Sequence, residues 1–219
     1  MKDQRRLEDA RFGLVYPTVG LIALRPIVQE DEQLVSEAFD RLSELSPFRR
    51  FLSRLKALSP AQLKSLTLTD SRDHMGWVII DPSPDAEFPA LGAASFWRDL
   101  KTPNRAEISF TVADEWQNAG LGTLVLDALW ISAFEAGIEQ FFAVVEPGNR
   151  PIAKWLERLG GEIHETPAQL EIVIPVTYPV ELTKGTGDNT NSLSKKRFVA
   201  SLRTLLGQNE LGEIAATIR

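Results

Sequence analysis

The stretch Gln117-Asn118-Ala119-Gly120-Leu121-Gly122 decides the fold of this chain. It follows a strand-like run at 107–113 and precedes a long apolar run, beginning near Gly120, that is predicted to be a helix. The first amides of a helix have no intrahelical partner, and the helix dipole favours negative charge there. Glycine also lets the backbone come within hydrogen-bonding distance of a phosphate. The stretch therefore predicts a turn that binds a pyrophosphate.

Two common phosphate-binding loops do not fit this turn. A P-loop requires Gly-Lys-Ser/Thr, which does not follow here. A dinucleotide-binding fold requires a third glycine, and Val125 stands at that position. What remains is Gln-x-x-Gly-x-Gly after a strand. On these six residues alone, an ordinary strand–turn–helix without a ligand stays open as the alternative.

Composition narrows the class of protein. With 219 residues, 43% hydrophobic and 25% charged, the chain is long enough for one globular domain plus extra segments. A net charge of -6 gives no reason to propose nucleic-acid binding. The absence of cysteine excludes disulfides, thiolate metal sites and a cysteine nucleophile, and two histidines, His74 and His164, make a multi-histidine metal centre unexpected. No signal-like or membrane-spanning run is present, so we expect a cytoplasmic protein.

Hydrophobic periodicity predicts an α/β (α+β) protein with a mixed, mostly antiparallel sheet of six to seven strands flanked by helices. Strands are expected at 20–25, 75–80, 91–97, 105–113, 140–146, 161–164 and 169–176, and helices at 30–45, 47–55, 60–66, 120–136 and 149–159. The second and third strands are expected to form one hairpin and the last two strands another. We divide the chain into a lead-in at 1–19, the α/β domain at 20–178, a polar linker at 179–194 and a helical tail at 195–219.

The glycine-containing loop and the order of elements resemble the GNAT superfamily of N-acetyltransferases. This resemblance implies acetyl-coenzyme A as co-substrate and no metal. It also implies that the pyrophosphate meets the backbone of Gln117, Asn118, Ala119, Gly120, Leu121, Gly122 and Thr123. Pantetheine would pair with the strand edge at Phe110, Thr111 and Val112, and the Val112 amide would polarise the thioester carbonyl.

A second coenzyme A motif is suggested by Asn149, followed by Ala153 and closed by Gly160. The resemblance implies that Asn149 orients the pantetheine arm, whereas the residues alone also allow a simple helix N-cap before Pro151. Many GNAT enzymes have a tyrosine four residues before the closing glycine, which protonates the departing thiolate. This chain has Leu156 there, so we predict no side-chain acid at that position.

The acceptor amine needs a base, because lysine has an unperturbed pKa near ~10.4. Glu107 is our candidate, acting directly or through water; a solvated carboxylate at a strand end is the alternative. His74 is a second candidate for the base, or for a weak contact with the acceptor. The alternative is a histidine in a polar turn that has no function. Arg49 and Arg50 lie where GNAT enzymes form the groove for the acceptor. The alternative is that they are two solvated charges on a helix.

Three further strings narrow the family. They are Leu42-Ser43-Glu44-Leu45-Ser46-Pro47-Phe48-Arg49-Arg50-Phe51, Leu66-Thr67-x-x-Asp70-x-x-x-His74-Met75, and Ala106-Glu107-Ile108-Ser109-Phe110-Thr111-Val112-Ala113-Asp114. Together they resemble bacterial Pat-type protein lysine acetyltransferases. That resemblance implies a lysine acceptor on a protein such as an acyl-CoA synthetase, with the strand glutamate as base. A small amine or a protein N-terminus as acceptor, and an acyl-CoA-binding module with weak catalysis, remain open. The tail could dock on its own domain or form a homodimer.

Overall fold

The computed structural model describes residues 10–16, 19–41, 58–87 and 89–177. These residues form one eight-stranded sheet in the order β1-β2-β3-β4-β5-β6-β8-β7. The strands are β1 Phe12–Tyr16, β2 Gly20–Pro26, β3 His74–Ile80, β4 Ala90–Arg98, β5 Arg105–Val112, β6 Gln140–Val145, β7 Glu162–Glu165 and β8 Leu170–Pro175. The helices are α1 Glu32–Arg41, α2 Pro60–Thr67, α3 Leu121–Glu135 and α4 Arg150–Arg158. Within this described sheet, β5 and β6 are parallel and every other neighbouring pair is antiparallel.

The predicted fold class is confirmed, and the sheet is one strand larger than the upper prediction. The additional strand is β1, which lies in the segment that we expected to be a polar lead-in. It pairs with β2 from Phe12 opposite Leu24 to Tyr16 opposite Gly20. Phe12 and Tyr16 are both buried and Gly13 and Val15 are exposed, which is the alternation expected of a strand with one buried face. Both predicted hairpins, β3 with β4 and β7 with β8, are also confirmed.

Helix α3 forms the centre of the core. Eleven of its 15 residues are buried, and it packs against β3, β4 and β5. Its polar side chain Ser132 accepts a hydrogen bond from Trp77 Nε1 at 2.9 Å and donates to the Ala128 carbonyl at 2.9 Å. Although α3 is apolar nearly all round, no helix among the described residues is long and apolar enough to cross a membrane.

The other face of the sheet is covered by α1 and α2, which pack around the buried Phe39. Helix α2 begins as the sequence predicts. Ser59 Oγ accepts from the Gln62 amide at 3.3 Å, and the Gln62 side chain accepts from the Ser59 amide at 2.9 Å. The predicted helix at 47–55, with Arg49 and Arg50, lies outside the described residues, as do the linker and the C-terminal tail.

Arg98, the last residue of β4, ties the end of α3 to two loops. Its Nε donates to Asp73 Oδ1 at 2.7 Å, and its Nη2 donates to the carbonyls of Arg72 at 2.8 Å and Ala136 at 2.7 Å. Its Nη1 donates to the Pro103 carbonyl. Ala136 is the C-cap of α3, where the helix dipole favours a cation.

We expect Arg98→Met to lower the free energy of unfolding by about 2–4 kcal/mol, because the Arg98 side chain is only 12% exposed and loses several charge-assisted hydrogen bonds together. Arg72→Met is the matched control. Arg72 contacts the same Asp73 at 4.0 Å, but its side chain is 84% exposed, so a change under about 1 kcal/mol is expected. Urea denaturation followed by circular dichroism measures both. Equal losses in the two variants would contradict the role of Arg98.

Candidate active site

The parallel strands β5 and β6 separate after three residue pairs. Pairing runs from Arg105 opposite Gln140 to Glu107 opposite Phe142, and the register ends there. Beyond this point β5 stays paired with β4 up to Val112, and β6 stays paired with β8 up to Val145. Residues 108–112 of β5 therefore diverge from residues 143–145 of β6. We call the V-shaped space between them the cleft, and Glu107 lies at its vertex.

Backbone groups of β5 point into the cleft at every second residue. The Ala113 amide donates to the Leu91 carbonyl at 3.0 Å, and the Arg105 carbonyl accepts from the Asp99 amide at 2.8 Å, so odd-numbered residues face β4. Because these groups alternate along a strand, the amides of Phe110 and Val112 face the cleft. The backbone groups of Thr111 point to β4 and not into the cleft, and Thr111 lines a groove on the face of the sheet opposite α3.

The turn at 117–122 brings the N-terminus of α3 to the open end of the cleft. Inside the turn, the Gln117 amide donates to the Asp114 carbonyl at 3.3 Å and the Ala119 amide to the Trp116 carbonyl at 3.4 Å. The Gln117 side chain is also engaged, with Asp114 Oδ1 at 2.9 Å. The first helical bond runs from the Leu124 amide to the Gly120 carbonyl. The amides of Gly120, Leu121, Gly122 and Thr123 precede it, and they are the donors that a helix end offers to an anion.

Only one of the two glycines in the turn is required by its backbone conformation. Gly120 has φ +87°, in the left-handed region that favours glycine, and Asn118 has φ 61°. Gly122 is not constrained in this way. A Cβ built on it would meet only ordinary contacts, Val112 Cγ2 at 3.6 Å and Trp155 Cη2 at 4.0 Å. Packing inside the protein therefore leaves room for a small side chain at this position.

Two aromatic residues that the sequence analysis did not single out complete the surroundings of the cleft. Trp155 of α4 makes an edge-on contact with Phe110, with ring centroids 5.0 Å apart. Leu156, at the position usually held by tyrosine, is fully buried in the core. Tyr16 of β1 donates a long hydrogen bond of 3.4 Å to the Gly120 carbonyl, and burial followed by the charge of Asp127 raises the pKa of Tyr16 to about 12.

Asn149 is the N-cap residue of α4, but its side chain makes no capping hydrogen bond. Its backbone alone serves the helix, through the Ala153 amide, which donates to the Asn149 carbonyl at 3.2 Å. The carboxamide is therefore not committed to the role that the simpler interpretation gives it. It is available to a ligand that lies along α4.

A groove lies on the face of the sheet opposite α3, between helices α1 and α2 and strands β3 to β5. It encloses about 890 Å³ of empty space, part of it open to solvent. Most of its lining is apolar, including Val35, Leu66, Val78, Ala93 and Trp97. Its polar groups include Ser109 and Thr111 of β5, and the carboxylates of Asp31 and Glu115. Asp31 forms a bidentate ion pair with Arg25, in which Nη1 donates to Oδ2 at 2.6 Å and Nη2 donates to Oδ1 at 2.7 Å.

Glu107 faces the same side of the sheet as the groove. It is two residues before Ser109 along β5 and directly opposite Trp97 of β4, and both of these neighbours line the groove. The side chain is half-buried, and burial raises the pKa of its carboxyl above the ordinary value. A carboxylate with a raised pKa is a stronger base than a solvated one.

His74 lies behind the wall of the groove. Its ring stacks on Trp97 with centroids 4.7 Å apart, and its Nδ1 is 2.9 Å from the Leu68 carbonyl. A carbonyl can only accept, so Nδ1 carries the proton. Burial lowers the pKa of His74, with weaker opposing contributions from Leu68 and Asp70. The imidazole is therefore neutral, and its placement favours a packing role over contact with an acceptor.

The site residues thus fall into three groups. Phe110, Val112, the turn and Asn149 surround the cleft, and Glu107 lies at its vertex. Thr111 lines the groove, and His74 lies behind it. Arg49 and Arg50 lie outside the described residues. Within the described ranges, no group of three or more histidine, aspartate or glutamate side chains could hold a metal ion.

A split parallel pair, a helix N-terminus with free amides beside it and a mixed sheet together define the class of the protein. Residues 22–162 match the acetyltransferase (GNAT) domain family, and the chain belongs to that family of N-acetyltransferases. Acetyltransferase Pat of Mycolicibacterium smegmatis is similar, with 33% identity over 137 residues, which are 63% of this chain and 40% of that protein. An acetyltransferase of Pseudomonas aeruginosa is 28% identical over 129 residues, covering 59% of this chain and 68% of the relative.

Solved structures show the same fold. The GNAT domain of S. lividans PAT superposes with a TM-score of 0.66 at 22% identity, covering 75% of this chain and 96% of that domain. A cAMP-binding acyltransferase from Mycobacterium smegmatis superposes with a TM-score of 0.54 at 23% identity, covering 94% of this chain and 59% of that protein. The predicted GNAT fold is therefore confirmed. The chain spans well under two thirds of the length of these mycobacterial relatives.

Proposed function

We propose that this chain transfers an acetyl group from acetyl-CoA to the ε-amine of a protein lysine, with Glu107 as general base. The observation that carries the proposal is the position of Glu107 at the vertex of the cleft. It shares strand β5 with the edge offered to the co-substrate, and it shares a face with the groove offered to the acceptor.

The residues around the cleft fit acetyl-CoA. The amides at the start of α3 suit its pyrophosphate, and the outward amides of Phe110 and Val112 suit its pantetheine arm. Bound acetyl-CoA supplies the acetyl group as a thioester, already activated for attack by an amine. The Val112 amide would donate a hydrogen bond to the thioester carbonyl oxygen and stabilise the negative charge that develops on it.

Glu107 would accept the proton that the acceptor ammonium loses. The neutral amine that results forms the new C–N bond, the C–S bond breaks, and coenzyme A leaves as its thiolate. The second proton lost by the nitrogen passes to the solvent or to the departing thiolate. Phe110 lies three positions after Glu107 and Val112 five positions after it, about 10 to 17 Å along the strand, so a chain of water molecules is expected to carry the proton. The buried Leu156 offers no acid to the departing thiolate.

The lining of the groove supports lysine as the acceptor. A lysine side chain joins four methylenes to one ammonium group, and such a chain packs well along apolar walls. Trp97, Val35 and Leu66 supply apolar surface, and Glu115 adds an acidic group that attracts a cation. The similarity to Pat of Mycolicibacterium smegmatis points in the same direction.

The acceptor is tested by incubating the chain with acetyl-CoA and three classes of amine. These are peptides with an internal lysine and a blocked N-terminus, lysine-free peptides with a free N-terminus, and small diamines. We expect thiol release and a matching gain of one acetyl group on the internal lysine alone. Transfer only to N-termini or diamines would identify a different acceptor. Acetyl-CoA binding without release for any amine would identify a binding module.

A further inference from the structure

Arg105 is the charged residue closest to Glu107 along β5. The two residues are two apart in one strand, so their side chains leave the sheet on the same face, with about 7 Å between successive Cβ atoms on that face. An arginine side chain spans this distance easily. An ion pair with Arg105 would lower the pKa of Glu107 and make it a weaker base.

Arg105 is directed away from Glu107 in the structure. Its Nη2 donates to Glu171 Oε1 of β8, two strands further across the sheet. To reach it, the guanidinium crosses the ring of Phe142, with its central carbon 4.2 Å from the ring centroid. Phe142 is the register partner of Glu107, so the aromatic ring lies beside the carboxylate that Arg105 avoids.

We propose that Glu171 is a positioning residue, which draws the Arg105 guanidinium across Phe142 and thereby prevents it from pairing with Glu107. This inference rests on the proposed role of Glu107 as base. The Arg105 Nε is buried and has no hydrogen-bond partner among the described residues, so Arg105 has a donor left for a second carboxylate. Glu171 thus competes with Glu107 for the cation.

The other described groups on this face do not take over that role. On β3, His74 is neutral behind Trp97. Arg98 at the end of β4 belongs to the opposite, α3 face, because its register partner is Ala106, and it is bound to Asp73 and the Ala136 carbonyl. Strand β6 presents Phe142 and Val144. The remaining titratable groups towards this face are Glu171 on β8, Glu162 and His164 on β7, and Asp31 and Glu115 at the groove. Burial is the cause that raises the pKa of Glu107, with no opposing contribution from Arg105.

The test measures the titration of Glu107 directly, by carboxyl carbon NMR on protein labelled at glutamate, with Glu107→Gln for assignment. In Glu171→Gln we expect the titration midpoint of Glu107 to fall by about one pH unit or more, because Arg105 then pairs with it. The acidic limb of the kcat/KM profile should move to lower pH by the same amount. Glu171→Asp, which keeps the charge, should restore most of the original midpoint.

Two further variants separate positioning from general disturbance. In the double variant Arg105→Met with Glu171→Gln, the Arg105 charge is removed, so the midpoint should return towards the original value. Glu165→Gln breaks an exposed ion pair, 3.0 Å long, between Glu165 of β7 and Arg150 of α4, and should shift neither readout. Thermal unfolding of each variant confirms that it is folded.

An unchanged midpoint in Glu171→Gln, or a shift that persists in the double variant, would overturn the inference while leaving Glu107 as base. If Glu107→Gln instead keeps the acidic limb of the activity profile, the proposed base is wrong. In that case the NMR titration still decides whether Glu171 keeps Arg105 from Glu107.

Discussion

Glu107→Gln is expected to lower kcat/KM for the amine by about 10²–10⁴-fold, the usual contribution of a general base. The acidic limb of the pH profile should disappear with it. With the proposed role of Glu107, activity of the unmodified chain is expected to fall as the pH drops through the raised pKa of Glu107, because the carboxylate then becomes protonated and cannot accept a proton. Initial rates of thiol release across the pH range measure both effects.

The stability of this variant provides the control. Burial raises the pKa of Glu107 in the folded state above its unfolded value. The stability contributed by this carboxyl is therefore fully present below the unfolded pKa and is lost as the pH rises through the folded pKa. Since glutamine carries no charge at any pH, Glu107→Gln should unfold at the same temperature or a higher one at neutral pH. A loss of activity accompanied by a clear loss of stability would instead indicate misfolding.

Thr123→Glu should weaken acetyl-CoA binding by about ten-fold or more, because a carboxylate beside the first amides of α3 repels the pyrophosphate. The same substitution should not destabilise the protein. Thr123 is the third residue of a helix whose N-cap is Gly120, and a negative charge there stabilises a helix by about 0.3–1 kcal/mol. Binding and stability are thus expected to change in opposite directions.

Isothermal titration calorimetry with coenzyme A at two salt concentrations measures this effect. Glutamine has the same shape as glutamate but no charge, so Thr123→Gln should change the affinity by no more than about three-fold. The difference between the two variants should shrink at high salt, where screening is stronger. Equal affinities for the glutamate and glutamine variants at low salt would contradict a phosphate site at this helix end.

The parts of the site that could be predicted from sequence are those built by neighbouring residues. The turn, its glycines and the N-terminus of α3 are encoded within a few positions, and the alternation in β5 places Glu107 and Ser109 on one face. A sequence pattern identifies such features because the physical cause, a backbone angle or a strand period, acts locally.

The remaining parts depend on pairs of residues far apart in the chain. Tyr16 reaches the turn across 104 positions, and Arg105 reaches Glu171 across 66. Trp155 was missed for a different reason. The family pattern drew attention to the next position, Leu156, although an aromatic residue in a short amphipathic helix was itself a signal. Neither periodicity nor motif spacing states which distant side chains meet, because that depends on the order of strands in the sheet.

The cleft lies within the sheet between β5 and β6, whereas the groove lies on the face covered by α1 and α2, and β5 is the element that they share. Two reactants that enter by separate routes do not need to displace one another. Steric exclusion then imposes no order in which the two reactants must bind. The reaction should proceed through a complex of the enzyme with both reactants rather than by a ping-pong exchange. A single molecule that joins coenzyme A to a lysine peptide would occupy both routes at once and compete with each reactant.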